Sequence, residues 1–539
     1  MPDNFKKIIQ LCFIILIFVN IFSFNRTGEF DYKSLYLETV SAVLFLIWCL
    51  GLLLGKVHFK NSNLDLLVLI FFFINLISFL FSPYKLASAV QFYQVFIYTG
   101  IYFAFLSAFR DLEDIQRFIN FLSLSIIFVS LYGILQYFGY DPLRLSHKGI
   151  LISTFVNKNF LGGVLAINLP FCFANLFLTK RFFYFWGFLA VIYALILTGS
   201  KGGIFVGFMG IFLYFLFYFV TIKDKIPILR RKGFSILLIL IIFIILVRSS
   251  AYTHDSLMSL KERFPFWRLS LRMVKEHPFK GTGIGNFVLF APYYKGSIFH
   301  PEQFIRHSWN EFLQVWVELG FVGFLIFIIL SILAFFSGFR FIFQCVGETT
   351  LKSLSLAGLT SLFSGILLNL GEINLRIVYL GIYFWINLAI LSKIREIKKD
   401  ISIFTFRFSP LLKGILCSLF IFGIFSLLKF SLTPLWMLRV QKNNKPTLDI
   451  DNLEKKIKDT DYNNLGNLCL LKGDIDKAEK CYQRILAINP RSPSANYNLG
   501  YLYFLQGKIK EAYERFSFCL KINPCDTEAY FMIKKNILY

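Results

Sequence analysis

Charge is what this sequence has least of: Asp, Glu, Lys and Arg make up 16% of its 539 residues, whereas 56% are hydrophobic. Soluble proteins carry about 25% charged residues. So much apolar surface cannot be hidden inside one water-facing shell, which excludes a soluble globule and makes the bilayer the main solvent. Acidic residues are the scarcer sign, 32 against 56 Lys and Arg, for a formal net charge of +24. A nucleic-acid binder of that balance would gather its basic residues on polar faces. Such faces are missing, so no nucleic-acid partner is expected. Also missing is any CxxC or Cys/His pair at metal-ligand spacing, although there are nine Cys, so neither a zinc site nor a disulfide framework is expected. Cys12, Cys49, Cys172 and Cys417 lie within apolar runs and read as small hydrophobes.

What the chain has in abundance is apolar runs long enough for hydrocarbon, which takes roughly 20 helical residues per crossing. Thirteen are expected, near 8–24, 35–55, 64–82, 89–108, 117–138, 160–178, 182–198, 203–220, 233–248, 312–337, 353–371, 377–392 and 411–430. The fold class is all-α, a polytopic bundle of 12–13 spans. Phe22-Ser23-Phe24 stands where a cleavable signal needs small residues, so the first span reads as a retained anchor. With the N-terminus inside, twenty Lys and Arg fall in inner segments and eight in short outer loops. This bias orients the bundle. It places the long loop 249–311 and the chain after the last span outside the cytoplasm.

After residue 430 the composition changes. A polar linker at 431–458 leads into a mixed-charge segment at 459–539 with a period of 34. Leu465-Gly466 recurs as Leu499-Gly500, Gly473 as Gly507, Ala478 as Ala512 and Pro490 as Pro524. That is the tetratricopeptide signature, which implies an α-solenoid. The small residues serve close helix crossings, Tyr482 and Phe516 fill the gaps between repeats, and residues 525–539 read as the start of a third repeat. Such a tail offers a surface for a protein partner.

The polar residues that could do chemistry gather in the outer loop. They form the stretches Glu262–Arg268, Glu276–Phe287 and Arg306–Gln314. A transporter would place such groups on broken helices at the midplane. Gly281, Gly283 and Gly285 alternate without the spacing of a dinucleotide fingerprint, and a tight loop is preferred over direct phosphate contact by their amides. Glu372 and Arg376, four apart, are expected to pair with each other. Arg268 and Arg272 fit anionic lipid headgroups, the glycan or a solvated loop helix equally.

In order and position these pieces resemble the O-antigen ligase/polymerase superfamily. The elements are Ser153–Gly162, Thr198–Gly203, Arg263 with Trp267, His277-Pro278 with Gly281-Thr282-Gly283, and Asn310–Gln314 leading to Glu318, Gly320 and Gly323. The likeness covers most of the chain, with its ligase-like region at about 185–390 inside a membrane domain of residues 1–430. It implies metal-free and cofactor-free transfer of a glycan from a polyprenyl diphosphate carrier to a lipid or protein hydroxyl at the outer face of the bacterial inner membrane. Two Arg and one His do this work in the family. The first Arg position falls on Lys201, which keeps the charge but loses the fork that binds phosphate oxygens in pairs, and the second on Arg263. The His position falls on Trp309, with His307 two residues earlier. His307 and Arg263 are the catalytic candidates, and Lys201, Arg263 and Arg306 the diphosphate-binding ones. Asn310, Glu311, Glu318 and His277 are secondary, with Glu318 read as structural. The acceptor stays open between ligase, O-antigen polymerase and protein O-oligosaccharyltransferase. From other classes, a lipid-linked glycan flippase and a non-catalytic scaffold remain.

Overall fold

The computed structural model describes residues 3–23, 32–54, 63–221, 253–294, 305–398 and, discontinuously, 462–533, apart from isolated loop positions. They form two compact units, each described by itself. Among the described residues all regular structure is helical. The first unit holds α1 (Asp3–Phe22), α2 (Tyr32–Leu53), α3 (Asn63–Leu80), α4 (Lys85–Ala108), α5 (Leu112–Tyr137), α6 (Lys158–Thr179), α7 (Phe182–Leu197) and α8 (Lys201–Thr221). It continues with α9 (Thr253–Glu276), α10 (Phe287–Tyr294), α11 (Glu311–Ile342), α12 (Thr349–Asn369), a 3-10 turn (Asn374–Arg376) and α13 (Val378–Lys398). Nine of these helices are long and apolar enough to cross a membrane, and α3 and α7 are shorter apolar helices. Eleven of the thirteen expected spans are therefore helices. The other two, 233–248 and 411–430, lie outside the described residues.

The bundle is layered by burial. Nearly the whole of α13 and most of α6 and α12 are enclosed by protein, whereas α1, α2 and α8 expose much of their apolar length, as lipid contact requires. Small residues let the central helices touch. A Cβ on Gly203 of α8 would fall 2.8 Å from the Gly162 backbone of α6, the close approach that membrane helices use in place of a hydrophobic drive. Side-chain amides add polar links, with Asn175 donating to Ser123 at 2.8 Å and Asn387 to Ser361 at 2.5 Å.

Alternating helix direction gives two polar ends. At one, Lys6 of α1 holds Asp114 at the start of α5, 2.5 Å away. At the other, Lys33 of α2 is fully buried, donates to the Thr154 carbonyl at 3.1 Å and lies 3.7 Å from the Phe155 ring centre. Ser88 of α4 reaches the Ile284 carbonyl there at 2.6 Å. This second end collects the starts of α2, α4, α6, α8 and α11 with the turn before α13.

The second unit contains α14 (Ile475–Ile488), α15 (Pro493–Leu505) and α16 (Ile509–Ile522). Asp474 and Ser492 cap α14 and α15 by accepting from backbone amides, and Pro493 sits in the first turn of α15. The repeat logic is visible in the contacts. The Tyr482 ring lies over Gly466, and the Phe516 ring over Gly500, so closely that a Cβ would meet them at 2.6 and 3.2 Å. Ala478 and Ala512 are fully buried. Of residues 525–539, read as a third repeat, only Met532 and Ile533 are among the described residues.

Candidate functional site

The site end is organised by a break in α11. Asn310 caps this helix, its Oδ1 accepting from the Leu313 amide at 3.0 Å while its Nδ2 donates to the Leu370 carbonyl at 2.9 Å. Ten residues later Gly320 leaves helical geometry, with φ of 70° and ψ of −171°. A break strips carbonyls of their intrahelical donors, and the loop after α9 supplies replacements. Thr282 donates to the Val317 carbonyl at 2.8 Å, Gly283 to that of Glu318 at 3.0 Å, and Phe321 donates back to Pro278 at 2.8 Å. Glycine is needed on both sides of this stitch, because a Cβ at Gly320 would strike the Phe279 carbonyl and one at Gly281 that of Glu318. Gly281, Ile284 and Gly285 donate to His277, Ser78 and Glu318 in turn. All five amides of residues 281–285 are thus engaged within the protein, as a tight loop demands.

Behind the stitch lies a buried ion cluster. The Arg376 guanidinium donates through Nε to Glu311 and through Nη1 to Glu318, each at 2.8 Å, and all three side chains are almost fully buried. Burial works against its charge, but the two carboxylates outweigh burial and hold it protonated well above the ordinary arginine range. Glu318 also accepts from the Gly285 amide and from Gln314 at 2.8 Å. Glu311 and Arg376 line a cavity of about 30 Å³ together with Asn75, Gln91 and Tyr98. There Glu311 Oε2 and the Tyr98 hydroxyl have no hydrogen-bond partner.

The residues 305–310 that precede α11 are loop. Ser308 donates its amide to Gln314 Oε1 at 2.8 Å, and Trp309 adopts a left-handed φ of 54°, rare for a residue with a side chain. His307 is largely buried, and its Nδ1 has no partner. Burial first, then the positive charges of Arg376 and Arg306, push it down to about 4, so its imidazole is neutral at physiological pH. Arg306 beside it is exposed.

Arg263 of α9 pairs with Glu372 at 2.5 Å, in the segment that follows α12. Its Nη1 would lie 2.9 Å from a Cβ on Gly371, so this glycine is what lets the guanidinium reach the backbone there. Burial raises the Glu372 carboxyl, and Arg263 draws it back only in part. Lys201 begins α8, whose next residue, Gly202, faces Leu368 at the end of α12. His277 follows α9 directly, with Nε2 3.1 Å from the Tyr294 hydroxyl, which donates to Glu276 at 2.8 Å. Burial and Glu276 raise that phenol to about 12.

The segment from α7 to the middle of α11 has recognisable relatives. Residues 186–328 match the O-antigen ligase family. Two repeat models match the tail, a TPR repeat over 466–507 and a tetratricopeptide repeat over 493–524. No curated protein matches the chain. The O-antigen ligase match supports a glycan-transferring membrane enzyme in general, nine helices among the described residues are long and apolar enough to cross a membrane, and tetratricopeptide repeats lie near the C-terminus.

Within the O-antigen ligase segment lie all the candidates read from sequence: Lys201, Arg263, His277, Arg306, His307, Asn310, Glu311 and Glu318. Arg263 and Asn310 converge on residues 370–372, and Lys201 begins the helix whose second residue faces Leu368. His307, Glu311 and Glu318 gather around Arg376, while His277 turns to Tyr294 instead. One expectation is overturned: Glu372 and Arg376 do not pair with each other. The 3-10 turn between them sends Arg376 inward to Glu311 and Glu318 and leaves Glu372 for Arg263. The roles of Arg376, Glu372 and Gln314 were missed because their partners are 58 or more residues away, or because an uncharged Gln carries no signal of its own.

Proposed function

We propose that this protein transfers a glycan from a polyprenyl diphosphate carrier to a hydroxyl acceptor, at the outer face of the bacterial inner membrane and without a metal or cofactor. The observation that carries this reading is the state of the two arginines. Arg376 is sealed between two carboxylates, whereas the Arg263 side chain remains 24% exposed and is held by a single carboxylate. A diphosphate can compete for such a guanidinium, and Arg forks bind phosphate oxygens in pairs.

In this scheme the anomeric carbon–oxygen bond to the diphosphate breaks as the acceptor oxygen bonds to that carbon. The leaving diphosphate takes the electron pair, and Arg263, Lys201 and Arg306 offset its growing charge. Neutral His307 takes the acceptor proton. Lys201 gives a point charge where a fork would bind more directionally, so Lys201→Arg preserves or raises transfer and Lys201→Ala lowers it about 10²–10³-fold.

The membrane domain spans residues 1–430 and the repeats 459–539, joined by the linker 431–458. With the N-terminus inside, loop 249–311 and the repeats are periplasmic, where the repeats recruit a protein partner or position the acceptor and do not catalyse. Cysteine labelling tests that orientation: tail probes that react only after inner-membrane lysis would place the repeats in the cytoplasm. Polymerase and protein O-oligosaccharyltransferase activities use the same donor and differ in acceptor.

The test is transfer by the purified full-length chain from a polyprenyl-diphosphate-linked glycan with EDTA present. Turnover that persists in EDTA and falls in Arg263→Ala supports the scheme. Dependence on added divalent metal overturns its metal-free form, and donor flipping without transfer favours an exporter.

A further inference from the structure

His307 sits on a short loop that has no regular structure of its own, yet the loop carries one of the two left-handed non-glycine residues among the described residues, Trp309. Strained backbone persists where the surroundings over-determine it. Trp309 is bracketed by two contacts, one across 42 residues and one to the helix that follows. Its carbonyl accepts from Trp267 Nε1 at 3.4 Å, and the amide before it, that of Ser308, donates to Gln314 Oε1 at 2.8 Å. The Ser308 hydroxyl only folds back onto Asn310.

We propose that Gln314 is a positioning residue that holds the His307 loop against the bundle by gripping the Ser308 amide. The proposal rests on the reading that His307 takes the acceptor proton. Gln314 is suited to the task because its two ends differ. Oε1 accepts from Ser308, and Nε2 donates to Glu318 Oε1 at 2.8 Å. Glu318 is itself fixed by Arg376 and the Gly285 amide. The loop is thereby tied, through one neutral amide, to the buried ion cluster of the site end. A carboxylate at 314 would face Glu318 with like charge. An aliphatic side chain would leave both the Ser308 amide and Glu318 Oε1 without a partner, and buried groups in that state are costly.

The grip has a signature that reads position directly. His307 is kept low by burial and by the cations that face it, Arg376 from the turn and Arg306 from its own loop. Beyond Arg376 lie Glu311 and Glu318 of α11, and Glu372 is paired with Arg263 of α9. If Gln314 releases Ser308, His307 moves toward water and titrates closer to an unperturbed value of about 6.5.

The experiment is NMR titration of histidine-labelled full-length protein in detergent, with the His307 signal assigned by His307→Gln. The wild type titrates near 4, and Gln314→Leu moves the midpoint up by at least one pH unit. Gln314→Asn, too short to span both partners, gives the same shift and serves if the Leu variant does not accumulate. In transfer assays Gln314→Leu lowers kcat about 10²-fold with donor KM unchanged, the scale of a misplaced catalytic group. In the His307→Gln background it costs nothing further. An unmoved titration with wild-type kcat overturns the positioning role. A moved titration in a protein that transfers no glycan upholds the grip and overturns the transfer reading instead.

Discussion

Arg263 and Glu372 stand 109 residues apart in the chain and meet at 2.5 Å beside Gly371. Their pairing joins α9 to the segment that follows α12. Arg263→Ala should abolish most transfer, about 10²–10³-fold, and should also lower stability, because Glu372 is left buried and unpaired. The double variant Arg263→Ala, Glu372→Ala should regain part of the thermal midpoint and none of the transfer. Recovery of both would make the pair purely structural.

Gly320 is a second test point, independent of catalysis. Gly320→Ala has to place a Cβ against the Phe279 carbonyl at a left-handed φ, so it should prevent accumulation of folded protein. Gly149 has a positive φ as well, but nothing lies within 4 Å of its missing side chain. Gly149→Ala should therefore cost only the left-handed strain, about 1–2 kcal/mol. Equal behaviour of the two variants in detergent thermal unfolding would remove the stitch as a cause.

The Arg376 cluster predicts an asymmetry. Arg376→Met leaves two buried carboxylates facing each other without a cation and should cost about 3–5 kcal/mol, the scale for breaking a buried pair. Adding Glu311→Gln and Glu318→Gln removes the orphaned charges and should restore much of the loss. Thermal unfolding of the single and triple variants decides this, and a triple variant no better than the single would point to packing rather than charge.

Periodicity and composition made the bundle legible, because length and apolarity alone decide what a bilayer accepts. α5, α6 and α12 could be placed to within a few residues. The tail was equally legible, since Tyr482 over Gly466 and Phe516 over Gly500 are a packing rule written at a fixed spacing. What could not be read was which charge faces which. Sequence proximity favoured Glu372 with Arg376, but a 3-10 turn between them redirected both side chains. The break at Gly320 was equally hidden, because a glycine within a long apolar run carries no sign of its backbone conformation and only the partners at 278–283 reveal it.

The neutral state of His307 has a stability consequence. Its folded pKa of about 4 lies below the unfolded value of about 6.5, so between these values the unfolded chain binds the proton and the folded one does not. The contribution to stability is fully present above pH 6.5 and is lost as pH falls toward 4. The thermal midpoint of His307→Gln should accordingly fall less steeply than that of the wild type over this window. Parallel curves for the two proteins would place His307 in water.

The stitch between residues 278–283 and 317–321 also sets an order of assembly. Synthesis runs from the N-terminus, so the glycine loop leaves the ribosome before the carbonyls it must serve, and Arg376 emerges 58 residues after Glu318. Until then Glu311 and Glu318 have no cation, and the first half of α11 cannot settle into the bundle without a severe electrostatic cost. A chain ending between 320 and 376 therefore has both carboxylates and lacks the guanidinium that pairs them in the folded structure. The last short turn before α13 is the clasp that closes the two halves of this charge cluster.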